Sequence, residues 1–273
     1  MRTALYGAVL GDIIGSPYEG RLRVIKTKDF EFFGAGCRFT DDTTLTIAIA
    51  EALLNLDKDA GDDEIKSAVV NSMQAWGRKY RDVGFSRSFT QWLMEENPKP
   101  YRKKSNGSAM RVSAVGWFFD TIERTRQVAR LTAEVSHNTP EGIRGAESVA
   151  SAVFLARNNA SKAEIKSYVE KNFGYDLSRT LDEIRPIYYP IVACEGSVPE
   201  ALIAFLESEN FEDAIRNAVS LGGDSDTLAA IAGSVAEPFY QIPVELIKEG
   251  HRRVPDDMRG ILLRFNAAVG HTH

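Results

Sequence analysis

Two short clusters carry most of the chemistry available to this chain: Thr40-Asp41-Asp42, and Asp224-Ser225-Asp226-Thr227. Each sets two carboxylates beside a threonine hydroxyl, ahead of an alanine-rich, helix-like stretch. Four carboxylates and two hydroxyls make a hard-oxygen ligand set suited to Mg²⁺ or Mn²⁺, provided the fold brings the clusters together. The plainer reading is helix capping, in which carboxylates accept N–H groups at the positive end of a helix. The repetition of the pattern weighs against it. Paired carboxylates need a countercharge, or one of them takes up a proton. Neither cluster has an adjacent lysine or arginine, so a divalent ion is the natural neutraliser. Gly222 and Gly223 stand just before Asp224 and permit a left-handed backbone that would aim the acids.

The elements that must position these groups read as helices. Leu5, Val9 and Ile13 fall on one stripe. Leu45, Ile49, Ala52, Leu53 and Leu56 form a second, Ile143, Ala146, Ala150, Val153 and Phe154 a third, and Leu228, Ile231, Ala232 and Val235 a fourth. Helix starts are expected at Ser108, at Thr139 with Pro140 and Glu141 behind it, at Asp62 or Asp63, and at Ser161 with Glu164 closing a capping box. Strand signals are thin. Residues 23–26 and 30–33 are the best candidates, as a short hairpin or an ordered loop. The stretch 97–105, with two prolines and several basic residues, reads as a surface loop. Gly7, Gly11 and Gly15 recur every four residues and predict a face where another backbone packs closely in a helical core. No linker or internal repeat divides the chain, so one mainly α-helical domain over residues 1–273 is expected.

The whole-chain properties set bounds. Hydrophobic residues are 44% and charged residues 26%, ordinary for a globular protein with a sizeable core. The formal net charge of −5 argues against a sequence-independent grip on nucleic acid. No apolar run approaches the roughly 18 residues of a membrane span, and the first ten residues do not read as a secretory signal. Cys37 and Cys194 are too few for a disulfide framework, and reduced thiols in the cytoplasm are expected. His137, His251, His271 and His273 are scattered and form no zinc signature. Residues 57–64 look like the start of a calcium loop, but Asp62 holds the position where glycine is needed, so a solvated turn is expected. The aromatic series Trp76, Tyr80, Phe85, Phe89 and Trp92 is read as core before it is read as a pocket wall.

Five segments together resemble the ADP-ribosylglycohydrolase family, which includes the dinitrogenase reductase-activating glycohydrolases. They are Gly7-Ala-Val-Leu-Gly-Asp-Ile-Ile-Gly-Ser-Pro-Tyr-Glu19, Phe39-Thr-Asp-Asp-Thr43, Asn106-Gly-Ser-Ala-Met-Arg111, Ser136-His-Asn-Thr-Pro140 and Gly222-Gly-Asp-Ser-Asp-Thr227. They follow the family order and span most of the chain. The resemblance implies a compact all-α domain, an orthogonal helical bundle with a binuclear Mg²⁺ or Mn²⁺ centre at helix N-termini. The implied metal ligands are Thr40, Asp41, Asp42, Asp224, Asp226 and Thr227. Glu19 is placed near the scissile bond, and Asn106, Gly107, Ser108, His137, Gly223 and Ser225 are candidates for holding substrate.

The implied reaction cleaves the glycosidic bond between ADP-ribose and an acceptor, a modified protein side chain or a small conjugate. Such cleavage develops oxocarbenium character at ribose C1 and needs a proton for the leaving group. Glu19 or Asp224 can serve as the general acid or base, and the sequence does not separate them. Arg111 can meet phosphate, against a plainer role in a salt bridge. The segment from Arg21 to Arg38 is expected by position to cover the site as a lid. A non-catalytic relative that binds ADP-ribose or serves structurally is the alternative, but it would be free to lose the four aspartates, and all are present. A metal-dependent phosphohydrolase is a third reading. A monomer without membrane or sequence-specific nucleic-acid partners is expected.

Overall fold

In the computed structural model, which describes residues 3–20 and 23–270, the glycine stripe decides what lies against helix α1 (Tyr6–Gly15). A Cβ on Gly7 would sit 2.1 Å from the Gly233 carbonyl oxygen, and one on Gly11 would sit 2.1 Å from that of Ala229. A Cβ on Gly15 would meet the Ser225 oxygen at 2.5 Å. All three partners lie on helix α12 (Ser225–Phe239), in descending order. The two helices therefore run antiparallel, backbone against backbone. Every residue of α1 is buried, and so is all of α12 but Phe239.

The rest of the chain wraps this pair. The other helices are α2 (Asp41–Leu54), α3 (Asp62–Lys79), α4 (Arg87–Met94), α5 (Ser113–Phe118), α6 (Ile122–Glu134) and α7 (Pro140–Arg157). They continue through α8 (Lys162–Phe173), α9 (Leu181–Ile184), α10 (Cys194–Leu206), α11 (Phe211–Val219), α13 (Val244–Arg253) and α14 (Asp256–Val269). Helices α7, α10 and α11 pack on α12, while α2 and α13 pack on α1. The described residues hold no strand, only an isolated bridge between Ser105 and Ala193. One hydrophobic core runs through all of this, so the fold is all-α as expected. Among the described residues, no helix is long and apolar enough to cross a membrane.

Local signals were mostly sound. Thr139 caps α7 with Pro140 in its first turn, and Ser161 and Glu164 form the reciprocal capping box of α8. Gly61, not Asp62 or Asp63, is the N-cap of α3; the two aspartates lie in its first turn, where they favour the dipole. Ser108 does not start a helix. Residues 106–108 form a single 3-10 turn, and α5 begins at Ser113. Residues 23–38 form an ordered loop, because Arg216 rather than a second strand takes their carbonyls. Its Nη1 donates to the Lys28 and Phe30 oxygens, and its guanidinium lies 4.9 Å from the rings of Phe30 and Phe32. Trp76, Phe89 and Trp92 are buried as core. Arg21, His271 and His273 lie outside the described residues.

The N-cap residue of α1 is Leu5, whose φ of 74° is in the left-handed region and whose side chain offers no cap. Glu237, from the far end of α12, replaces the cap. Its carboxylate accepts the Tyr6 N–H at 3.2 Å and the Gly7 N–H at 2.9 Å. Burial raises the Glu237 pKa from 4.5 to about 7 despite those bonds.

Two outcomes follow from this packing. Gly11→Ala forces the two helices apart, and the expected loss is about 3 kcal/mol, at the upper end for overpacking; an unchanged melting temperature would refute the contact. Glu237 holds its proton to higher pH in the folded protein than in the unfolded chain. Its contribution is therefore complete below about pH 4.5 and declines as pH rises through about 7. Glu237→Gln removes that decline, so between these limits the variant should gain on the parent by about 3 kcal/mol in unfolding free energy. Denaturant titrations of both proteins in EDTA test this, and a difference that is flat with pH rules it out.

Candidate active site

The antiparallel pairing sets the C-terminal end of α1 beside the N-terminal end of α12. Asp12, one residue after Gly11, projects from α1 and is 0% exposed. Its Oδ2 accepts the Thr40 and Thr43 N–H groups at 2.8 and 3.1 Å, and its Oδ1 accepts the Thr40 hydroxyl at 2.6 Å. Asp12 thus pins the N-terminus of α2 against α1. Thr40 is the N-cap of α2, and Asp41 and Asp42 occupy the first turn. On the other side, Gly222 and Gly223 have φ of 78° and 90°, the left-handed backbone that turns the chain into α12. That turn delivers Asp224 and Asp226. The two clusters meet: the Thr227 hydroxyl donates to Asp42 Oδ2 at 3.2 Å.

Glu19 is stapled to the same turn. The Gly20 N–H donates to the Gly223 oxygen at 3.2 Å, and the Ser225 hydroxyl donates to the Tyr18 oxygen at 3.2 Å. Two overlapping sets of donors result. Carboxylate oxygens of Asp12, Asp42 and Asp226 lie within 4.8 Å of one another, and so do those of Glu19, Asp224 and Asp226. Asp226 is common to both.

The charges are not balanced from within. Burial raises every carboxylate described next, and neighbouring carboxylates raise all of them but Asp12 further. Asp12 and Asp224 rise to about 6, and Asp41 to about 8 with Asp12 the strongest neighbour. Asp42 and Asp226 stand well above the usual carboxylate range, pushed by burial and then chiefly by Asp226 and by Asp224, respectively. Asp42 Oδ1 and the Thr43 hydroxyl are buried without a partner. An orphaned carboxylate oxygen, all-oxygen donors and a shared central aspartate fit two adjacent hard divalent cations.

These acids form one end of a cavity of about 440 Å³. Glu19, Asp41, Asp42, Asp224, Asp226 and Thr227 line that end. Lys103, Ser105, Gly107, Arg111 and His137 line another part, with Phe89, Tyr101, Met110 and Val192 as apolar wall. Asn106 links the two parts: its Nδ2 donates to Asp224 Oδ2 at 2.6 Å while its backbone N–H donates to the Val192 oxygen at 2.8 Å. Arg111 is 0% exposed and makes no salt bridge among the described residues, contrary to the plainer expectation. It donates instead to the Gly107 and Thr132 oxygens and the Ser136 hydroxyl, because the core around it offers carbonyls and no acid. Burial and the charges of Arg111 and Lys103 hold His137 well below its ordinary pKa.

Other expected residues sit behind the cavity. Thr40 is engaged with Asp12, Ser108 donates to the Gly142 oxygen, and Ser225 is spent on Tyr18. Gly223 packs against Tyr188 and Pro190. The 23–38 segment lines none of this cavity. Lys26 ties it to the Tyr188 and Leu221 oxygens, and Val24 lies where a side chain on Gly222 would go, so it buttresses the turn before Asp224 rather than forming a lid. Asp12 was missed as a site residue. Its signal was present: it is the sole charged residue between Tyr6 and Gly15, and an acid inside an otherwise apolar helix is buried for a reason.

Comparison with known proteins identifies the fold and the family. A solved structure described as an ADP-ribosylglycohydrolase-related protein complex superposes with a TM-score of 0.72 at 23% identity, covering 98% of this chain and 96% of its own. Human ADP-ribosylhydrolase ARH3 is 26% identical, over 89% of this chain and 86% of its own length. ADP-ribosylarginine hydrolase Tri1 of Pseudomonas putida is 26% identical, over 88% of this chain and 70% of its own. Residues 1–256 match the sequence model of ADP-ribosylglycohydrolase, and with the match covering nearly the whole chain, the protein belongs to that family.

Proposed function

We propose that the protein is a divalent-metal-dependent hydrolase that cleaves the glycosidic bond joining ADP-ribose to an acceptor. The observation that carries this reading is one cavity with unneutralised charge of both signs. Six carboxylates, from Asp12, Glu19, Asp41, Asp42, Asp224 and Asp226, gather in and beneath one end. A buried guanidinium without an acidic partner stands at another. A ligand with sugar hydroxyls on one side and a diphosphate on the other suits both. Phe89 and Tyr101 offer apolar surface for its base.

Asp12, Asp42 and Asp226 would hold one cation, and Asp224 and Asp226 a second, with the Glu19 carboxylate beside it and left free for proton transfer. Bound there, the metal pair would supply countercharge to the carboxylates, orient the ribose hydroxyls and acidify a water. The chain's own groups do the rest. Asn106 fixes Asp224 by its 2.6 Å bond, which commits one carboxylate oxygen. Glu19 is exposed at the cavity edge and held at the ribose end by the bonds that flank it. We therefore assign the proton transfer to Glu19, as acid to the leaving group or base to the incoming water.

Arginine-linked and serine-linked ADP-ribosyl peptides, incubated with Mg²⁺, Mn²⁺ or EDTA, should release intact ADP-ribose by mass, and EDTA should abolish the release. Free phosphate in its place would point to a phosphohydrolase, and tight binding without turnover to a non-catalytic relative. Asp42→Asn and Asp226→Asn should each lose bound metal and cut activity by about 100-fold or more, beyond the usual effect of outer-shell changes; full activity with unchanged metal content sinks the metal assignment. Glu19→Gln should lower kcat by about 100-fold or more while bound metal stays the same. If that variant keeps its kcat and Asp224→Asn does not, the proton belongs to Asp224.

A further inference from the structure

The cationic part of the cavity contains a chain of hydrogen bonds that can run in one direction only. Arg111 starts it, because a guanidinium donates and never accepts. Its Nη2 donates to Ser136 Oγ at 2.9 Å. Ser136 Oγ is 2.9 Å from His137 Nδ1, and Ser105 Oγ is 3.0 Å from His137 Nε2. Arg111 and Ser136 are 0% exposed and His137 is 4% exposed, so water does not relieve a mismatch.

The polarity follows from counting protons. Ser136 accepts from Arg111, and its own proton has His137 Nδ1 as its acceptor. Turning the bond round would leave a buried hydroxyl proton unpaired, at a cost of about 1–3 kcal/mol. With Nδ1 accepting, the neutral ring carries its proton on Nε2 and donates it to Ser105 Oγ. The Ser105 hydroxyl then has a proton to give. Its backbone oxygen is already taken by the Cys194 thiol, and the side chain lines the cavity.

We propose that Ser105 is a substrate-binding residue, donating a hydrogen bond to a phosphoryl oxygen of the ADP-ribosyl group, and that Arg111 and Ser136 are positioning residues that fix its proton toward the cavity. The assignment rests on the ADP-ribose reading above. It gives the uncompensated guanidinium a function without contact: its polarity reaches the ligand through two hydroxyls and an imidazole. An acceptor such as a phosphoryl oxygen suits this donor.

Calorimetry with ADP-ribose and ¹⁵N–¹H spectra of the His137 ring test the proposal. Wild type should show the Nε2–H tautomer, and Ser136→Ala should lose that fixed tautomer while staying folded. Ser105→Ala should weaken ADP-ribose binding by about 10-fold, the scale of one hydrogen bond to a charged group. Ser105→Thr keeps the hydroxyl and should recover most of the affinity. An Nδ1–H tautomer in wild type, or equal ADP-ribose affinity in wild type and Ser105→Ala, overturns the proposal and leaves the hydrolase reading standing. Failure of wild type to bind ADP-ribose at all overturns both.

Discussion

The close approach of α1 and α12 is the constraint on which the site depends. Ordinary helix pairs sit 8–10 Å apart because side chains intervene. Here Gly7, Gly11 and Gly15 remove them on one side, and the α12 backbone fills the space. Asp12 and Asp226 are thereby brought within ligand distance of each other although 214 positions apart in the chain. Any residue larger than glycine on that stripe would widen the gap between them. The packing of the core and the geometry of the donors are therefore one property, fixed by the same atoms.

A second consequence is electrostatic. The N-termini of α2 and α12 point their free N–H groups and positive dipole ends toward the carboxylates. That offsets part of the repulsion but not the cost of burial, as the raised Asp41, Asp42 and Asp226 indicate. Asp12 is better satisfied, because three donors from Thr40 and Thr43 face it, and it rises less than Asp41. Structural duty and ligand duty are thus divided by hydrogen bonding. Asp12 both locks α2 and presents an edge to the donor set, whereas Asp42 keeps one oxygen free of any protein partner.

Much of this was legible in the sequence, for identifiable reasons. The glycine stripe, the paired aspartates, Gly222-Gly223 and the caps at Thr139 and Ser161 are local signals whose physics operates over a few residues. What escaped depends on distant partners. Asp12 read as an interruption because its donors lie 28 and 31 residues away. Ser108 looked like a helix start, yet its hydroxyl goes to Gly142 and the helix waits until Ser113. The loop at 23–38 looked like a lid because nothing local revealed that Arg216 and the 221–223 turn would hold it elsewhere. Arg111 invited a salt bridge, since sequence alone cannot show that carbonyls would surround it.

The two charged parts of the cavity share a logic that neither has alone. A buried guanidinium without an acid and a group of buried acids without a base would neutralise each other if they touched. The fold keeps them apart on separate supports: Arg111 on the segment before α5, the acids at the ends of α1, α2 and α12. Asn106, a neutral residue, makes the connection to Asp224. Keeping both charges uncompensated costs folding free energy, since each is desolvated without an ionic partner. Such an arrangement persists when something outside the protein supplies the counterions, and what binds the native state alone adds to its stability. On the function proposed above, the unpaired charges match the ligands: cations for the acids, and an anion whose other end reaches those cations.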